Sequence, residues 1–125
     1  MFFFRSNATN GANVFGARLR HVRERLGMAQ EKLGVQIGID ESASRARISR
    51  YETGVHEPPI GTARLLAQAL NVPLAYLYCD DDEIANMLLN LTTLPPATQD
   101  RALKAIGDLI DQLKTSETNT FKVDV

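Results

Sequence analysis

Three arginines crowd one short stretch of this 125-residue chain: Arg45, Arg47 and Arg50 lie within Ser44-Arg45-Ala46-Arg47-Ile48-Ser49-Arg50-Tyr51-Glu52-Thr53. On a helix, Ile48 and Tyr51, three residues apart, can share an inward face, and Arg45, Arg47, Ser49 and Arg50 then surround the outward one. Such a surface is suited to recognition. A guanidinium offers two parallel donors that match the two acceptors on the major-groove edge of guanine. Other chemistries lack their residues. His21 and His56 stand alone without metal-ligand spacing and read as surface residues. Cys79 is a single thiol with no histidine near it in sequence, and reads as a small packed residue. Asp80-Asp81-Asp82-Glu83 lacks the glycine and ligand spacing of a calcium loop, and is better explained as acidic residues at the positive end of a helix. No nucleophile–base pair, metal set or phosphate loop stands out. The expectation is therefore a protein that is not an enzyme and has no cofactor and no metal.

The elements that must position these arginines are helical. Phe15, Leu19, Val22 and Leu26 recur at spacings of four, three and four, which makes one apolar face of a first helix near Asn13 to Leu26. Arg18, Arg20, Arg23, Glu24 and Arg25 read as lying mostly off that face, and Gly27 stands where a left-handed cap is wanted. A short second helix runs near Ala29 to Ile37 on Leu33 and Ile37, and Gly38 ends it. The third helix, capped by Ser42 or Ser44, runs to Thr53, with Gly54 as its stop. Pro58-Pro59 forces a loop. A fourth helix spans about Ile60 to Leu70, and Leu74 to Tyr78 is a short fifth. Two more follow, one from the acidic run to about Asn90 and one from Pro96 to about Lys114. No stretch alternates like a strand. The domains expected are a loose N-terminal arm (1–12), a helix-turn-helix module (13–79), a two-helix extension (80–114) and a frayed tail (115–125).

Composition agrees with a small helical domain. Apolar residues make up 44% of the chain and there is no tryptophan, so the core rests on aliphatic side chains. The single cysteine points to a reducing compartment. No apolar run reaches the length of a membrane helix, and Met1-Phe2-Phe3-Phe4 is shorter than a signal-peptide core. These features point to the cytoplasm and to no membrane. The net charge of -1 conceals an asymmetry. Residues 14–79 hold nine Arg and Lys against six Asp and Glu, an excess of +3, whereas 80–125 hold four against nine, a deficit of -5. A mildly basic front half joined to an acidic back half fits a nucleic-acid module with a non-DNA extension.

In order and spacing, Gln30-Glu31-Lys32-Leu33, Ile48-Ser49-Arg50-Tyr51-Glu52-x-Gly54-x-x-x-Pro58 and Leu66-Ala67-Gln68-Ala69-Leu70-Asn71-Val72 resemble the lambda-repressor-like, Xre-type helix-turn-helix regulators. The resemblance covers about Phe15 to Tyr78. It implies an all-α, five-helix DNA-binding domain, here with a two-helix C-terminal extension. It also implies double-stranded DNA as partner and transcriptional regulation, most simply repression. Carried over, Gln30 would hold a phosphate; Arg45, Ala46 and Arg50 would face base edges; Arg47 and Thr53 would lie near phosphates. Ser44 and Ser49 complete the DNA-binding set, and Arg23 and Glu52 match a structural ion pair. The chain departs from the pattern in three places. Ten steps separate Gly38 from Ile48 where the family has six, so either the turn is longer or the third helix gains a turn without rotating its face. Ala29 replaces the usual serine cap and Gly34 the usual alanine, each expected to weaken the second helix by about 1 kcal/mol.

Leu103, Ile106, Ile110 and Leu113, spaced three, four and three, form a short coiled-coil-like stripe. Either it packs on the domain or it joins two copies. A homodimer suits two recognition helices reading a palindrome one DNA turn apart. About 45 residues follow the DNA module, fewer than a usual ligand domain needs. Two rivals remain. In one, an antitoxin-like protein uses its acidic C-terminal helices to bind a partner protein; in the other, an interaction module has kept the fold and lost DNA binding.

Overall fold

The structure, a computed structural model, describes residues 13–123, with side chains as far as Glu117. The expected arm, 1–12, lies outside the described residues. Every regular element among the described residues is a helix: α1 (Val14–Arg25), α2 (Gln30–Gln36), α3 (Glu41–Thr53), α4 (Ile60–Leu70), α5 (Leu74–Tyr78), α6 (Asp82–Leu91) and α7 (Pro96–Val123). The chain divides into two compact units after Thr92.

In the first unit, α1 to α6 enclose one aliphatic core. Phe15, Leu19 and Val22 of α1 meet Leu33 of α2, Ile48 and Tyr51 of α3, Ala63, Leu66 and Leu70 of α4, Leu77 of α5, and Ala85 and Leu89 of α6. The face expected for α1 is there except at its end. Leu26 is exposed, because α1 stops at Arg25 and Gly27, at φ 65°, turns the chain away from the core. Arg18 departs from expectation most. It is only 2% exposed. Its guanidinium donates through Nε and Nη2 to the Cys79 carbonyl at 3.0 and 2.8 Å and through Nη2 to Asp82 Oδ1 at 2.8 Å. It also lies 5.9 Å from the centre of the Tyr76 ring. Burial pushes the Tyr76 hydroxyl up to about 12. Arg18 therefore pins α1 to the α5–α6 junction.

The acidic run divides its labour: the Asp81 carboxylate caps α6 by accepting from the Ile84 amide at 2.9 Å, and Asp82 answers Arg18. In the second unit, α7 runs on to Val123, past Lys114, so residues 115–123 are helical where a frayed tail was expected. Leu103, Leu109, Ile110 and Leu113 are exposed along α7, and Ile106 is half-buried. Among the described residues no helix is long and apolar enough to cross a membrane.

Candidate nucleic-acid interface

The helix-turn-helix is α2, the connection 37–40 and α3. The four residues beyond the family's spacing enter the helix and leave the turn short. α3 starts at Glu41, and its cap is Asp40, which accepts from the Ser42 amide at 3.1 Å; neither Ser42 nor Ser44 caps it. Because four residues make nearly one turn, the inward face keeps its direction. Ile48 is fully buried and Tyr51 is buried beside it.

Ser44 is on this inward face and not among the residues that DNA could reach. It is fully buried, and its Oγ donates to the Glu31 carbonyl of α2 at 2.6 Å. That placement also accounts for Gly34. A β-carbon there would overlap Ser44 Oγ and crowd Ile48, so the glycine lets α2 and α3 close on each other and is not simply a weakness in α2. Ala29 does cap α2 without a side-chain hydrogen bond. A second close approach joins α1 to α3, where any side chain at Gly16 would run into the carbonyls of Tyr51 and Glu52.

A buried carboxylate fixes the angle of α3. Glu52 Oε2 accepts from Arg23 Nε at 2.6 Å, and Oε1 accepts from Arg23 Nη2 at 3.1 Å and from Gln30 Nε2 at 3.0 Å. Arg23 Nη1 also donates to the Met28 carbonyl at 2.7 Å. Arg23 and Glu52 thus pair as the resemblance implies. Gln30, at the first position of α2, joins the same network, with one amide hydrogen committed to Glu52. The arrangement ties α1, α2 and α3 together through one charge pair, whose hydrogen bonds offset the cost of burying it.

The remaining expected residues face outward. Arg45, Ala46, Arg47, Arg50 and Thr53 are exposed and Ser49 is half-buried. Arg45, Ala46, Ser49, Arg50 and Thr53 share one helical stripe, and Arg47 stands at its flank. Thr53 Oγ1 is turned back to the Ser49 carbonyl at 2.9 Å. Beside the stripe lies an open groove of about 490 Å³, lined by Arg20, Arg23, Gln30, Arg45, Ser49, Glu52 and Thr53 among others. Arg20, which sequence reasoning did not separate from the other α1 arginines, stands on its rim and pairs with Glu24 at 2.7 Å; that bond holds the Glu24 carboxyl below its ordinary value. His21, expected at the surface, is half-buried. Burial, with Arg25 and Arg18 nearby, pushes its imidazole below the ordinary value. His56 is exposed. Among the described residues, no group of His, Cys, Asp and Glu could hold a metal ion.

A short buried-core helix pair that presents an arginine-bearing outer face defines a helix-turn-helix protein, and the helix-turn-helix domain family matches residues 14–77. The chain belongs to that family. HTH-type transcriptional regulators of Sinorhizobium medicae (strain WSM419) and Rhizobium meliloti (strain 1021) are each 40% identical to it over 67 residues, 52% of this chain. The match takes in 44% of those curated relatives, less than half their length. The crystal structure of the transcriptional regulator BswR is similar over 78% of this chain and 96% of its own, with 38% identity and a TM-score of 0.71.

Proposed function

We propose that this chain is a sequence-specific DNA-binding transcription regulator of the lambda-repressor-like kind, and that it places α3 in the major groove. One observation carries the reading: the core and the Arg23–Glu52 pair anchor the inner face of α3, while Arg45, Ala46, Ser49, Arg50 and Thr53 are presented on its other side. Arg45 and Arg50 read guanine edges, and Ala46 packs against a base. Arg47 and Thr53 lie against phosphates. Gln30 holds a phosphate through the amide hydrogen that Glu52 does not use. The simplest mode of regulation is repression, by occupying DNA that a polymerase needs. The protein acts in the cytoplasm, needs no cofactor and does no enzymatic chemistry. The exposed stripe of α7 supports a homodimer that reads a palindrome.

The test is selection of bound sequences from a random DNA pool by the purified full chain at two salt concentrations. Enrichment of one inverted repeat, with affinity falling as salt rises, is the expected result. The α7 stripe, flanked by Asp100, Asp108 and Asp111, also fits the antitoxin-like reading, in which it binds a partner protein. No enrichment at either salt would favour that partner or an interaction module.

A further inference from the structure

The added turn of α3 brings a residue onto the outer stripe that the usual spacing would not supply. Ser42 lies three, four, seven, eight and eleven residues before Arg45, Ala46, Ser49, Arg50 and Thr53, so it continues their face by one turn at the leading end of the helix. It is exposed. A serine hydroxyl ordinarily both donates and accepts, and so reads either kind of base edge. Here one partner biases that choice. Ser42 Oγ donates its hydrogen to the Asp40 carboxylate, the same group that accepts from the Ser42 amide. Those bonds hold the Asp40 carboxyl below its ordinary value and keep it ionised. The tip of α3 therefore offers hydrogen-bond acceptors, the lone pairs of Ser42 Oγ beside a carboxylate. In the major groove, cytosine presents an amino donor at N4 and adenine one at N6, whereas guanine and thymine turn carbonyl acceptors to the same place.

We propose that Asp40 and Ser42 form an acceptor pair that selects an amino-bearing base, cytosine or adenine, at one position of each half-site next to those read by Arg45 and Arg50. This rests on the reading of α3 as the helix that enters the major groove. Guanine or thymine at that position brings its carbonyl against the acceptor pair, so the pair also acts by repulsion. A bare carboxylate disfavours the phosphate backbone, which directs the tip to bases.

The test repeats the random-pool selection with the full-length wild type, Asp40→Asn and Ser42→Ala. Asparagine caps helices about as well as aspartate, and Ser42→Ala leaves the cap untouched, so circular dichroism should show both variants folded. The wild type is expected to prefer cytosine or adenine at one position by at least about fivefold. Ser42→Ala should flatten that preference. Asp40→Asn, which brings an amide donor, should shift it toward guanine or thymine. Preferences at the positions read by Arg45 and Arg50 should stay as they are. An enriched site with no amino preference, or one whose preference survives both substitutions, would overturn the proposal and leave the groove-binding reading standing. A pool with nothing enriched would overturn that reading, and the acceptor pair with it.

Discussion

At Glu52, donors from two other helices converge on one buried carboxylate, so the loss of either charged partner leaves the other poorly solvated. Arg23→Ala is expected to lower unfolding stability by about 3 kcal/mol in a urea titration. Gly34 and Ser44 are coupled by shape. Gly34→Ala alone should destabilise by about 1–3 kcal/mol through overpacking, despite the better helix propensity of alanine. With Ser44→Ala it should cost less than the two single effects summed, a coupling that a double-mutant cycle reads. His21 gives a pH dependence. Its folded value lies below the ordinary 6.5, so below about pH 6.5 the unfolded chain takes up a proton that the fold resists. This part of the stability is complete above that pH and is lost as pH falls through the folded value. The melting temperature should fall accordingly, and His21→Gln should flatten the fall. Much at this scale was legible. The outward arginines follow from helical spacing, and the Arg23–Glu52 pair from family resemblance. Arg18 and Ser44 were missed although the signal was present. Phe15, Arg18, Leu19 and Val22 fall at inward spacing, as do Ser44, Ile48 and Tyr51, but arginine and serine are residue types ordinarily found at the surface.

At the scale of elements, helix order and most boundaries follow from apolar periodicity and from the glycine and proline breaks. The start of α3 does not, because Asp40, Ser42 and Ser44 are all capping residue types. The choice depends on whether Ser44 turns toward α2, which is a tertiary matter. The length of α7 was likewise hidden, since residues 115–123 are too polar for a periodicity argument. Arg18 is the clasp between α1 and α6. Arg18→Ala should lower stability by about 3 kcal/mol, because it removes a buried guanidinium that donates to both Asp82 and the Cys79 carbonyl. Hydrogen exchange should show the largest loss of protection in α6.

For the whole molecule, the charge asymmetry of the sequence matches the division after Thr92 only approximately, because α6, with its acidic start, belongs to the first unit. The second unit presents Leu103, Leu109, Ile110 and Leu113 to solvent. If that stripe joins two copies, Leu103→Lys with Ile110→Lys should halve the mass measured by light scattering and weaken binding to an inverted repeat more than to a half-site. An unaltered mass would remove the dimer seam. The central claim, that α3 reads DNA through its outer face, is tested most directly by the affinity of Arg50→Ala for the selected site and for unrelated DNA at the same salt. Binding to the site should weaken by about 1–3 kcal/mol, with little change on unrelated DNA. Undiminished affinity for the site would contradict the account.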